Sequence, residues 1–207
     1  MKGLRAGMWL ILGAIFVLGV SGVPAQAAVI FSDDFNAENG GAGVLNYVGF
    51  SNWTVSEGTV DLIGNGFFDF YPGNGLYVDL DGSTGNAGKM TSSGLSLGPG
   101  QYELKFFLGG NHRGAPSDTV NVSVQVGLAN ASYSLVSGDP LAERTLSFNV
   151  ASATSANIVF DHAGGDNIGI ILDKVRLIQV PEPGTMILLG SGLLGLTLAG
   201  ARKKFRK

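Results

Sequence analysis

Strict alternation of apolar and polar residues is the feature that most narrows what this chain can fold into. Val120, Val122, Val124 and Val126 alternate with Asn121, Ser123 and Gln125. Successive side chains of a strand point to opposite faces, so this run predicts a strand with one buried and one wet face. Tyr102, Leu104, Phe106 and Leu108 alternate with Glu103 and Lys105, and Leu146, Phe148 and Val150 repeat the pattern. Shorter instances are Val60 with Leu62, and Ala156 with Ile158 and Phe160. Turn-forming clusters separate these runs at residues 71–75, 98–100, 109–111 and 164–167. No stretch between residues 28 and 179 sustains a helical period. With 33 glycines and only 14% charged residues, the expectation is an all-β fold: an antiparallel β-sandwich of the jelly-roll kind.

A length of 207 residues predicts one domain plus targeting segments. The chain has no cysteine, which excludes disulfides, thiolate nucleophiles and cysteine metal sites. Its formal charge of −3 hides a segregation. Between residues 28 and 182 only six basic residues face all 16 acidic ones, a net charge near −10. Such a domain lacks the basic patches that nucleic acid requires.

The two ends read as addresses. In residues 1–27, Lys2 and Arg5 precede an apolar run from Met8 to Val20. Ala25-Gln26-Ala27 then supplies the small residues that signal peptidase accepts, placing cleavage before Ala28. At the other end, Pro181-Glu182-Pro183 precedes an apolar run over residues 185–201 and the basic tail Arg202–Lys207. A helix over that run spans about 25 Å, slightly short of a hydrocarbon core of about 30 Å. The two prolines deny helix to the approach, and the basic tail holds the cytoplasmic side. Ser191, Gly195 and Ala199 form a small-residue stripe along the span.

The Pro-Glu-Pro motif, glycine-rich span and basic end, over residues 180–207, resemble the PEP-CTERM sorting signal. That resemblance implies a Gram-negative bacterium that makes exopolysaccharide, and processing by the membrane peptidase exosortase. It implies export across the inner membrane, anchoring through residues 185–201, and a final place at the cell surface or outside. Within residues 28–179, Tyr77-Val-Asp-Leu-Asp-Gly82, Gly98-Pro-Gly-Gln-Tyr102 and Gly165-Asp-Asn-Ile-Gly169 with Leu172-Asp173 give a second resemblance. They are similar to a domain recurrent in PEP-CTERM proteins and to galactose-binding-like jelly rolls, including carbohydrate-binding modules. In those relatives the first and last strands are neighbours, often tied by a structural calcium ion.

Asp173 shares the parity of Ile171, Val175 and Leu177, so a regular strand would turn it toward the core. A carboxylate there needs a cation or several donors. If the ends pair as the resemblance implies, Asp33 and Asp34 complete an oxygen set for calcium. The competing reading is a β-bulge at Asp173 that reverses its parity and leaves the carboxylate solvated. Asp79, Asp81 and Ser83 have a D-x-D-G-S look, but the twelfth position from Asp79 is Met90, which excludes an EF-hand and favours a turn. The sequons Asn52-Trp-Thr, Asn121-Val-Ser and Asn130-Ala-Ser are idle in a bacterium.

No catalytic constellation stands out. His112 and His162 are the only histidines, each beside a glycine-rich turn, and no G-x-S-x-G elbow occurs. His112 and Arg113 read as loop residues. The aromatic group Trp53, Phe67, Phe68, Phe70 and Tyr71 could form a sugar platform or fill the core. Tyr71, beside Pro72-Gly-Asn-Gly75, is the first candidate for an exposed ring, with Trp53 second. The sequence thus predicts a non-enzymatic surface or matrix protein with a carbohydrate-binding β-sandwich, its partners being signal peptidase, exosortase and exopolysaccharide or another neutral glycan. The alternative is a secreted glycosidase or esterase with the same sorting signal.

Overall fold

The computed structural model describes residues 26–114, 116–125 and 127–181. The signal segment through Ala25, Glu182 and Pro183, the span expected over residues 185–201 and the basic tail lie outside them. Among the described residues no helix is long and apolar enough to cross a membrane.

Among the described residues thirteen strands run in order: β1 (Ala28–Asp33), β2 (Trp53–Ser56), β3 (Asp61–Gly64), β4 (Leu76–Asp79), β5 (Lys89–Ser92), β6 (Leu95–Leu97), β7 (Gly100–Gly109), β8 (Asp118–Val124), β9 (Ala129–Leu135), β10 (Ala142–Val150), β11 (Thr154–Ala156), β12 (Ile158–Ala163) and β13 (Ile171–Val180). They build a six-stranded sheet, β10-β7-β13-β4-β3 with β1 beside β13, and a five-stranded sheet, β2-β5-β12-β8-β9. A short β6–β11 pair closes one margin. Every strand-to-strand ladder is antiparallel. The fold is the all-β antiparallel sandwich that the alternation predicts.

The alternating residues do what their period requires. Tyr102, Leu104, Phe106 and Leu108 of β7 and Val120, Val122 and Val124 of β8 belong to one continuous core, which also holds Phe160, Leu172 and Leu177. β8 stops at Val124, and the turn that follows carries Gly127 at φ 73, a conformation open to glycine. Thr119, Asn121 and Ser123 take the outer face, where Thr119 bonds Ser134 and Asn121 accepts from Ser132.

β13 breaks its own alternation. Leu172 lies opposite Leu108 and Asp173 opposite Phe107, so Leu172 faces the core and Asp173 the outer side. The register then shifts between Asp173 and Arg176, and Lys174 takes a left-handed φ of 49. This bulge returns Val175 and Leu177 to the core. The sequence expectation that Asp173 shares their parity is therefore corrected. Asp173 is nonetheless fully buried, on the outer side of the sheet.

β13 also relates the two ends of the molecule. At one end Gln179 pairs with Ala28 and Val180 with Gln101, so the first strand and the exit toward Pro181 leave from one pole. At the other end Ile171 pairs with Asp79 and with Gly109. Ten residues of strand separate the poles by about 33 Å. Near the far pole a second, smaller cluster of Ile63, Tyr77 and Ile171 is roofed by Phe67, Phe70, Tyr71 and Leu141.

Candidate functional site

The first and last strands pair, as the resemblance implies, and Asp34 comes near Asp173, but Asp33, Asp34 and Asp173 do not form one group of three. Asp33 turns into the sandwich: its Oδ1 accepts from the Phe35 N–H at 2.9 Å, and its Oδ2 from Trp53 Nε1 at 2.9 Å and Asn52 Nδ2 at 3.1 Å. Asp34 is exposed and accepts from the Asn36 N–H at 3.2 Å. The Asp173 Oδ1 accepts from the Lys174 N–H at 2.7 Å, while its Oδ2 lies 3.3 Å from Lys174 Nζ without hydrogen-bond geometry. Burial first, and the nearby Asp34 in addition, push Asp173 up to about 6 against the pull of Lys174. Among the described residues no three acidic, histidine or cysteine side chains are grouped to hold a metal. An ammonium stands at the one buried oxygen left over, so this donor set does not fit a calcium ion.

Trp53 is only 4% exposed and packs edge-on against Phe31, so its ring has no face for a ligand. Tyr71 is half-buried, and its hydroxyl sits 2.6 Å from the Gly110 carbonyl and 2.9 Å from that of Asp139. Burial, with Asp139 nearby, pushes this phenol up to about 12. Tyr71 ties loops together. The exposed ring of the group is Phe68, at 55%.

Phe68 belongs to a shallow pocket at the pole far from Val180, together with Leu45, Asp61, Phe70, Asp79, Ser83 and Arg113. The β3–β4 loop that carries both phenylalanines is braced from within. Asp69 accepts from the Gly66 N–H at 3.1 Å and from the Tyr77 hydroxyl at 2.9 Å. Tyr77 in turn accepts from the Tyr71 N–H at 2.9 Å, and Phe68 itself sits at a left-handed φ of 44. A non-glycine residue held there signals a loop fixed by its surroundings.

The polar half of the pocket comes from two adjacent strands and two loops. Asp61 of β3 lies directly opposite Asp79 of β4. Asp61 accepts from the Asn46 and Ser83 N–H groups at 2.7 and 3.2 Å and from the Ser83 hydroxyl at 2.7 Å. Asp79, 2% exposed, pairs with Arg113 Nη2 and accepts from the Asp81 N–H at 3.1 Å. Burial pushes Asp79 up to about 7, and Arg113 pulls it only part of the way back. The guanidinium lies 5.6 Å from the centre of the Phe70 ring. It therefore stands between a buried carboxylate and an aromatic face.

The D-x-D-G-S stretch is a turn. Asp81 Oδ2 accepts from the Gly165 and Asp166 N–H groups at 2.8 and 3.2 Å, and Gly82 donates to Thr59. His112 is exposed beside Tyr71, and Arg113 alone of the loop pair enters the pocket. Phe68 has a sequence signal in hindsight: an aromatic run set between Asn65-Gly66 and Pro72-Gly73 cannot all be core. The Asp61–Asp79 pairing has none, because it depends on strand register.

Residues 179–204 match the model of the PEP-CTERM protein-sorting motif, so the chain carries that signal for export and membrane-anchored sorting through exosortase. No curated protein matches the chain. Among solved structures, TmCBM61 in complex with β-1,4-galactotriose is 18% identical, covering 63% of this chain and 90% of its own at a TM-score of 0.45. The xylan-binding CBM22-1 domain of Paenibacillus barcinonensis Xyn10C is 12% identical over 78% of this chain and 100% of its own, with a TM-score of 0.42. A CBM6 module of Cellvibrio mixtus lichenase 5A in complex with cellotriose is 11% identical over 68% and 98%, with a TM-score of 0.40. The glycans named belong to those proteins.

Proposed function

We propose that this chain is an exported, sorted surface protein whose β-sandwich binds a neutral glycan, without catalysis, at the pole far from its anchor. The observation that carries this reading is the exposed Phe68 ring, fixed in a braced loop beside the Asp79–Arg113 pair. Sugars present C–H faces that lie on aromatic rings, and vicinal hydroxyls that planar charged groups bond in pairs. Phe68 and Phe70 supply the first kind of contact, and Arg113 and the Ser83 hydroxyl the second. The site points away from the strand end that leads to Pro181, where a polymer of the extracellular matrix meets no membrane. We read that polymer as exopolysaccharide.

A secreted hydrolase has one observation in its favour. Two carboxylates lie side by side, and one is pushed up to about 7, as a glycosidase acid would be. Their engagement argues against it. Both are buried, Asp61 accepts hydrogen bonds on both oxygens, and Asp79 is held by Arg113. A glycan array probed with the exported chain and with Phe68→Ala separates the readings. Binding lost at least tenfold in Phe68→Ala, with no release of reducing sugar by either protein, supports the module. Turnover that vanishes in Asp79→Asn would establish the hydrolase.

A further inference from the structure

We propose that the ammonium of Lys174 takes the place of a metal ion beside Asp173, so that the bulge of the last strand carries a cation of its own. Asp173 is fully buried and needs a positive partner. In a regular strand Lys174 would point to the opposite face, into the core, and could not supply one. The bulge solves both problems with one residue. Its left-handed φ of 49 turns Lys174 out of the core and back over its neighbour.

There Lys174 Nζ lies 3.3 Å from Asp173 Oδ2 and donates to Asn74 Oδ1 at 2.9 Å. It also stands 5.4 Å from the centre of the Phe107 ring. One carboxylate oxygen, one amide oxygen and a ring face suit an ammonium. Calcium asks for six to eight oxygens at about 2.3–2.6 Å, which this set lacks. Asp33, which could add two oxygens, spends both on Phe35, Asn52 and Trp53. The contact with Asn74 joins β13 to the β3–β4 loop, 100 residues away in the chain. Lys174 thus links the last strand to the loop that carries Phe68.

The experiment is thermal unfolding of the full chain in detergent micelles, in millimolar calcium chloride and in chelator. The wild-type transition should be the same in both. Lys174→Met, which keeps the apolar stem, should lower the transition by roughly 2–5 °C, because the ammonium is partly screened by solvent. Lys174→Gly, which keeps the left-handed backbone without the ammonium, should lower it as well. Asp173→Asn in the Lys174→Met background should recover most of the loss, since no unpaired charge remains. That recovery distinguishes an ion pair from a merely structural residue, and it remains readable if Lys174→Met alone fails to fold. A wild-type transition raised by calcium, or a Lys174→Met chain as stable as wild type, would overturn the proposal.

Discussion

The indole N–H of Trp53 donates to the Asp33 carboxylate at 2.9 Å and so joins the opening strand of one sheet to the edge strand of the other. The same carboxylate accepts from the Phe35 N–H and the Asn52 amide, a knot of three donors around one buried acid. Phe31, Phe35 and Phe160 close around the indole at 5.4, 6.2 and 5.8 Å between ring centres. Removing the carboxylate strands all three donors in the sandwich. Asp33→Ala is expected to cost about 3 kcal/mol, and Asp33→Asn, which keeps acceptor capacity, about half of that. Chemical denaturation followed by Trp53 fluorescence measures both. Equal stability of Asp33→Ala and wild type would show that the knot contributes nothing.

The buried acids give an unusual dependence on pH. Burial holds Asp79 at about 7 and Asp173 at about 6 in the fold, against about 3.9 in the unfolded chain. Between those values the folded state keeps protons that the unfolded state has released, so stability falls as pH rises. The contribution is complete below about pH 4 and is lost by about pH 7. His162, whose burial lowers its pKa, works in the opposite sense below its unfolded value of about 6.5. Its effect leaves the upper part of the window to Asp79. The melting temperature is expected to decline from pH 6 to pH 8, and Asp79→Asn should flatten that decline. A wild-type curve that rises across this interval would mean that Asp79 is ionised throughout.

Tyr71 gives a prediction about the far pole. Its hydroxyl reaches the carbonyls of Gly110 and Asp139, which lie in different loops. Tyr71→Phe should cost about 1–2 kcal/mol, because a buried carbonyl loses its donor. Glycan binding should weaken with it, since the loop that holds Phe68 and Phe70 loses a tie. Gly110→Ala should be far more damaging. A Cβ there would stand 2.3 Å from the carbonyl oxygens of both Val136 and Ser137, which are backbone and cannot swing aside. Limited proteolysis of the two variants reads the loop directly, and equal resistance in both would contradict the argument.

What the sequence reveals follows from which interactions are local. β7, β8 and β10 are legible because alternation is a property of a strand read alone. β5, Lys89-Met-Thr-Ser, is not, since only Met90 and Ser92 are buried and nothing in four residues fixes a period. The bulge in β13 enters the sequence reading only as the competing alternative, for a different reason: Lys174 is not a residue that announces a positive φ. Its reward is an ion pair that exists only after the strand has bent. The site divides in the same way. Aromatic residues crowded into a turn are visible, so Phe68 and Phe70 stand among the sequence candidates. Choosing between Phe68 and Tyr71 requires the partners of Tyr71, which come from residues 110 and 139. The pairing of Asp61 with Asp79 and the arrival of Arg113 belong to register and loop path, which one chain's composition does not record.

The sorting signal meets the fold at Val180, and that junction predicts where processing stops. Through Gln179 the last strand is paired on both sides, with β1 at Ala28 and β7 at Tyr102, and Val180 still pairs with Gln101. Peptidases bind substrate as an extended, unpaired strand, which residues inside this ladder are not. Pro181 follows without an N–H to continue the ladder, so pairing ends where the motif begins. The mature C-terminus is therefore expected at or beyond Val180, with Arg202–Lys207 removed and the sandwich intact. Replacing Pro181-Glu182-Pro183 by three alanines should leave a full-length protein in the membrane fraction. Intact mass spectrometry of the exported wild-type chain decides the first point. A terminus inside β13 would mean that the strand opens before it is cut, and a mature chain that keeps the basic tail would mean that the anchor is permanent.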